Sequence, residues 1–294
     1  MQSRSKSLPQ SGQERKAGIA LMLVIMVMFA GYDATSKFLS PRYPVSELLW
    51  IRYITHVLLL LTFFGPKMRW GLIRTTRPLL QIIRASMLVV VSFLIMYGLR
   101  YISLADTTAI VFLAPLLVTA LSSPVLKEKV TRPQWVAVVF GFIGVLVIVR
   151  PSGSALNPAM LFPLGSAVCY ALYQVLTRKF AGAEHPVTSH LFTGLVGLLV
   201  CSVTWQPGWV IPSLWHGVLM VSLGFYAGVG HYLLIKVYER TPPVVAAPFS
   251  YTQLAWAVLF GLLFFGEMPD SFSMLGILII AASGLYVVMH PLKA

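Results

Sequence analysis

The sequence predicts an all-α integral membrane protein, ten transmembrane helices arranged as two inverted five-helix repeats. Three observations lead there. The first is composition: of 294 residues, 57% are hydrophobic and 11% charged, whereas soluble domains carry about 25% charge. The second is a series of ten apolar runs, each near the roughly 20 residues that a helix needs to cross a bilayer. The third is an echo of the first half of the chain in the second.

The runs cover residues 17–39, 45–64, 78–100, 103–125, 133–150, 157–180, 186–204, 214–237, 242–265 and 271–290. The connections are short and leave no room for a soluble domain. The first run follows a basic segment (Arg4, Lys6, Arg15, Lys16). It is too long for the apolar core of a signal peptide and lacks a clean small-residue cleavage site, so it reads as a retained helix. Residues 1–16 are polar and expected to form a disordered cytoplasmic tail.

Charge placement sets the orientation. With a cytoplasmic amino terminus, the cytoplasmic segments hold sixteen Lys and Arg, and the opposite side holds three: Arg42, Arg100 and Arg150. The remaining three, Lys37, Arg52 and Arg84, lie inside helices. The positive-inside rule then places both termini in the cytoplasm. The net charge of +13 is therefore a topology signal. The expected partner is the lipid bilayer, not nucleic acid. Cys169 and Cys201 lie in apolar runs and read as small core residues. The six histidines show no H-E-x-x-H spacing and have no companion cysteines, so neither a metal site nor a cofactor is expected.

The echo is specific. "TSKFLSPRYPVSELLW" (35–50) and "TRKFAGAEHPVTSHLF" (177–192) match at an offset of 142 through Thr35/Thr177, Lys37/Lys179, Phe38/Phe180, Pro44/Pro186, Val45/Val187 and Leu49/Leu191. Glu128 in "LKEK" ends the fourth run, and Glu267 in "FGEM" ends the ninth. The fifth run closes with Arg150-Pro151 and the tenth with His290-Pro291. Five is odd, so the second copy enters the membrane from the other side, an architecture typical of secondary transporters.

These features resemble the EamA-type branch of the drug/metabolite transporter superfamily: two five-helix halves (17–151 and 157–291), Pro115 midway along the fourth helix, Glu128 ending it, and a glycine-rich fifth helix, "GFIGVLVIVRP". The resemblance covers nearly the whole chain. It implies a multi-pass protein of the plasma membrane, a bacterial inner membrane, that moves a small molecule. Members of that superfamily carry amino acids, nucleotide derivatives, vitamins, sugars or drugs. One departure is visible: Gln253 and Leu254 stand where the second half would repeat the mid-helix proline, and Pro248 comes earlier.

Charges inside the spans are the first candidates for function. Asp33 and Lys37 are spaced i, i+4 on one helical face. Asp33 lies roughly 24 Å along its helix, and Arg52 enters from the same side by about 10 Å. Asp33 is thus expected to pair with Lys37 or Arg52, either as a proton-carrying site or as a static ion pair. Arg84, in "LLQIIRASMLVVV", has no acid on its own helix. It faces water or an anion, or snorkels to lipid phosphate. Asp106 suits the dipole at the start of the fourth helix. His56, His190, His231 and Gln253 are polar at mid-depth. Tyr32 neighbours Asp33, and Tyr173 and Gln174 occupy the sixth helix, the repeat mate of the first. With Tyr97, His56, His231, Gln253 and the charges Asp33, Lys37, Arg52 and Arg84, these three are candidates to line a substrate and ion pathway. Pro115 is the candidate gate, because proline breaks the hydrogen-bond ladder. Gly141, Gly144, Gly217, Gly224 and Gly228 read as close-packing positions.

No nucleotide-binding G-x-x-x-x-G-K-[ST] occurs, so ATP is not a direct energy source. G-x-S-x-G, H-E-x-x-H and Gly-x-Gly-Asp are also missing, and no catalytic residue is expected. The leading reading is a secondary transporter working by alternating access, coupled to protons, a counter-substrate or the solute's own gradient. The excess of buried cations and the aromatics suit a solute bearing a carboxylate or ring: an amino acid, an S-adenosylmethionine-like metabolite or a flavin. The alternatives are an intramembrane aspartyl protease built on Asp33 and Asp106, and a scaffold or sensor without flux. Nothing in the sequence selects or excludes a homodimer.

Overall fold

The computed structural model describes residues 12–127, 129–150, 157–179, 185–204, 209–241 and 243–290. Its helices are α1 (Gly12–Leu39), α2 (Val45–Met68), α3 (Pro78–Tyr101), α4 (Leu104–Val111), α5 (Ala114–Leu126), α6 (Arg132–Val149), α7 (Leu161–Lys179), α8 (Pro186–Val203), α9 (Leu214–Arg240), α10 (Pro243–Ala246), α11 (Thr252–Phe265) and α12 (Ser271–Met289). No strand occurs among the described residues, and ten helical spans are long and apolar enough to cross a membrane. The first helix begins earlier than its apolar run: residues 12–16 are helical, not part of a tail, because Gln13, Glu14, Arg15 and Lys16 are good helix formers. The tail proper (1–11), Glu128, Pro151, Phe180 and Pro291 lie outside the described residues.

Local chemistry explains the helix starts. Ser103 caps α4 by accepting from the Asp106 amide at 3.0 Å, and donates to the Asp106 carboxylate at 2.8 Å. Asp106 therefore sits in the first turn, as the dipole favours. Thr131 and Gln134 form a capping box on α6, and Asp270 caps α12.

The fourth span is broken in two. After Val111 the chain tightens, with Leu113 N–H donating to Ile110 O at 3.0 Å, and restarts at Ala114. Pro115 falls in the first turn of α5, where its missing N–H leaves no donor unpaired. The ninth span is broken as well, by a 3₁₀ turn over Ala247–Tyr251 between α10 and α11. Pro248 occupies its first turn. The bend is thus common to both halves although the proline is displaced. The breaks correspond, since Tyr251 follows Phe112 by 139 residues (251 − 112), as Glu267 follows Glu128 (267 − 128). They also touch: the Phe112 and Tyr251 rings lie 5.1 Å apart.

Packing crosses between the halves. α1 of the first half packs on α9 of the second, and α3 packs on α7, the same contact viewed from opposite sides of the membrane. α6 packs on α12, the closing helices of each half. The lipid-facing rim is apolar, with Val136, Val139, Phe140, Leu263 and Phe264 exposed. Lipid tails are as apolar as leucine, so close backbone approach and polar contacts hold such helices together. A Cβ on Gly276 would fall 2.6 Å from the Gly144 carbonyl oxygen, and one on Gly224 would fall 2.7 Å from the Arg52 carbonyl oxygen. Gly217 departs from the expected stripe: its nearest neighbour beyond its own helix is Pro212, at 3.9 Å.

Gly276→Ala is therefore expected to force α6 and α12 apart and lower stability by about 1–3 kcal/mol, the usual cost of overpacking. Gly217→Ala should leave stability unchanged or raise it. Thermal midpoints of the two purified proteins in one detergent compare them directly; equal midpoints would refute the close-packing account.

Candidate functional site

The strongest polar contacts gather at the face opposite the amino terminus, where α1, α3 and α11 end. Lys37, in the last turn of α1, is 9% exposed. Its ammonium donates to the carbonyls of Ile102 (2.6 Å) and Leu99 (3.3 Å) at the end of α3, and pairs with Glu267 Oε1 at 2.9 Å. Glu267 Oε2 accepts from the Leu104 amide at the start of α4, at 3.2 Å. The cation thus meets the negative end of α3 and the carboxylate meets the positive end of α4. Gly266, at φ +65°, turns the chain after α11 so that Glu267 can reach this position. One ion pair joins three segments of the first half to one of the second.

This arrangement overturns the expected pairing of Asp33 with Lys37 or Arg52. Lys37 is taken by acceptors on other helices. Asp33, 9% exposed, accepts instead from the Gln253 side-chain amide of α11 at 3.0 Å. Arg52 donates to Ser92 Oγ of α3 at 2.8 Å, and its guanidinium stands 5.3 Å from the Tyr32 ring and 4.7 Å from the Tyr53 ring. Tyr53 donates to the same hydroxyl at 3.1 Å, and Ser92 donates onward to Leu88 O. The i, i+4 spacing aligned Asp33 and Lys37 correctly on α1, but the end of α3 offered Lys37 more acceptors than one carboxylate could.

Arg84 bridges the halves elsewhere. Its Nε donates to Thr177 Oγ1 of α7 at 3.1 Å, and its guanidinium lies 5.5 Å from the Tyr173 ring. The Thr177 hydroxyl donates to Tyr173 O at 2.7 Å. No carboxylate pairs with Arg84 among the described residues. At the offset of 142, Arg84 corresponds to Tyr226 and Gly31 to Tyr173. The equivalent contact is present, with a Cβ on Gly31 falling 3.7 Å from Tyr226 Cζ. The packing repeats, but the charge does not.

The remaining candidates divide. His56, His190 and His231 come together from α2, α8 and α9, with ring centroids 4.1 Å and 5.5 Å apart in that order. Neither nitrogen of His56 has a hydrogen-bond partner among the described residues. Among the described residues no group of His, Cys, Asp and Glu is arranged to hold a metal ion. Tyr97 stands apart, stacked on Phe162 at 5.4 Å, and Gln174 is half-buried on α7. Glu267 and Ser92 are the polar partners that reasoning from the sequence left out. The signal for Glu267 was present, since it ends the ninth run as Glu128 ends the fourth. Lys179 itself is exposed. Arg150 pairs with Asp270 across the start of α12, and this guanidinium holds the Asp270 carboxyl down at about 2.

A family description, EamA-like transporter family, matches residues 16–150 and again 157–289. The chain is 26% identical over 280 residues to an S-adenosylmethionine uptake transporter of Rickettsia conorii, covering 94% of each. It is 25% identical over 282 residues to a riboflavin transporter of Vibrio cholerae, again covering 94% of each. One solved crystal structure superposes with a TM-score of 0.63 at 17% identity, covering 94% of this chain and 96% of that one, and shares the fold.

The Lys37–Glu267 contact predicts a coupled pair. Glu267→Gln leaves a buried ammonium without its counter-charge. Such truncations cost about 3–5 kcal/mol when fully buried, and less here because the Glu267 side chain is 33% exposed. The double variant Lys37→Met/Glu267→Gln should be more stable than the sum of the single losses implies. Additive losses in a thermal-midpoint cycle would show that the two side chains act independently.

Proposed function

The chain belongs to the EamA-like transporter family, and from that premise we propose that it is a secondary transporter of a small, ring-bearing metabolite of the S-adenosylmethionine type. It works by alternating access in a bacterial inner membrane, with both termini in the cytoplasm. The observation that carries this reading is the meeting of two broken spans between inverted halves, beside buried polar groups drawn from both: Asp33 with Gln253, and Arg84 with Thr177. A buried acid with no cationic partner among the described residues suits a solute that brings a positive charge. S-adenosylmethionine has one on sulfur as well as an ammonium group. Riboflavin is neutral and leaves Asp33 uncompensated.

In this reading Tyr32, Asp33, Arg52, Arg84, Tyr173 and Gln253 line the pathway. His56, His231, Gln174 and Tyr97 lie along its margins. The Lys37–Glu267 pair closes the face opposite the amino terminus, and the breaks at Pro115 and Pro248 let the half-spans swing. Asp33 is the group that exchanges a proton or the solute's cation during the cycle.

Reconstitution tests it. Proteoliposomes should take up labelled S-adenosylmethionine saturably, and faster when the solute is present on the far side or a pH gradient is imposed. Robust riboflavin flux without S-adenosylmethionine flux would move the reading to a flavin carrier. No flux of either, in protein shown to be folded, would sink both substrate readings.

Pro115→Ala should fold to the same yield and slow this flux several-fold, because joining α4 to α5 favours one access state. An unchanged rate at equal reconstitution would remove the break from the mechanism.

A further inference from the structure

Two opposite charges occupy one depth of this molecule and do not meet. Asp33 lies six residues before the end of α1 at Leu39, about 9 Å from that face at 1.5 Å per residue. Arg52 lies seven residues after the start of α2 at Val45, about 10 Å from the same face. Tyr32 is the neighbour of Asp33 in the chain, and its ring lies 5.3 Å from the Arg52 guanidinium. In a low-dielectric interior, opposite charges gain most by direct pairing. Here each is steadied by a neutral group on another helix, Gln253 for Asp33 and Ser92 for Arg52. Asp33 accepts from Gln253 at Oδ2, and Arg52 Nε is buried without a hydrogen-bond partner among the described residues.

The repeat shows that packing does not require either charge. At the offset of 142, Asp33 corresponds to Val175 and Arg52 to Gly194, on the equivalent helices α7 and α8. Uncompensated charges at this depth are costly, and the chain keeps one of each sign in one half only.

We propose that Asp33 and Arg52 form a split site for a zwitterionic solute. Asp33 Oδ1 takes its ammonium or sulfonium, Arg52 takes its carboxylate, and the Tyr32 ring covers the atoms between. The planar guanidinium can present two N–H groups to a carboxylate. Arg84 is the other cation inside the spans that has no acid partner among the described residues. It lies six residues into α3 from the opposite face, hence roughly 12 Å deeper across a 30 Å core, too far to share one amino-acid head group with Asp33.

The inference rests on the reading of the chain as a metabolite transporter and deepens it. Binding to the purified full-length protein, measured by calorimetry, tests it with four probes: S-adenosylmethionine, its decarboxylated derivative, methionine and riboflavin. Arg52→Gln should weaken S-adenosylmethionine roughly tenfold or more, as loss of one partner in a desolvated charge pair does. It should leave the decarboxylated derivative within about twofold, and Arg52→Lys should recover part of the loss. Asp33→Asn should weaken both sulfonium compounds alike. That variant keeps the test alive should Arg52→Gln fail to fold. A merely structural Arg52 would weaken all probes in proportion, and that result, or full S-adenosylmethionine affinity in Arg52→Gln, overturns the proposal. Wild-type binding of methionine but not S-adenosylmethionine supports the split site and rejects the named substrate. Wild-type binding of no zwitterion rejects the split site, whatever riboflavin does.

Discussion

The Lys37 ammonium is the contact on which the rest of this arrangement depends. A helix end leaves carbonyls or amides without partners, and lipid supplies no water to satisfy them. At one face of this bundle the orphan carbonyls of α3 and the orphan amide of α4 lie either side of a single hairpin. Lys37 answers the first, Glu267 answers the second, and the two answer each other. Each group sits at the helix end whose partial charge it opposes. The contact also sets the rotation of α1. With Lys37 held against α3 and the turn after α11, Asp33, one turn earlier, faces Gln253. The polar centre of the molecule thus inherits its geometry from an ion pair nearer the surface.

The inverted repeat imposes the second constraint. Each half supplies its first helix to the other half's third, and each breaks its fourth span at a corresponding point. Proline marks the break in the first half from within α5 and in the second from the 3₁₀ turn before α11. A displaced proline serves equally because either position lies in a first turn, where no backbone donor is lost. What the halves do not share is charge. Val175, Gly194 and Tyr226 stand in the second half where Asp33, Arg52 and Arg84 stand in the first. The shared positions build the scaffold; the unshared ones put the charges inside the spans in one half only.

Much of the fold was legible because its signals are local. Apolar runs of bilayer length and matched residues 142 apart needed no knowledge of neighbours. Asp106 at a helix start was legible for the same reason. The pairing of Asp33 was not. Spacing of i, i+4 says that two side chains share a face, but says nothing of what that face meets, and Lys37 met a carboxylate 230 residues away (267 − 37). The three histidines read singly as polar residues at mid-depth, and only the approach of α2, α8 and α9 makes them neighbours. Gly217 and Gly224 fall on one stripe of α9, yet only Gly224 has a backbone against it.

The sequence by itself determined the membrane class, the ten spans, the two-fold repeat and the kinship with EamA-like transporters. These follow from sums and periodicities along the chain: total apolar length, the scarcity of charge, and residue identity at a fixed offset. Only the tertiary structure decided which charges pair, which stand unpaired and where the halves touch. Those outcomes depend on the competition among acceptors brought together from distant segments, and a hydrogen bond of about 3 Å is won or lost by positions that no local pattern encodes.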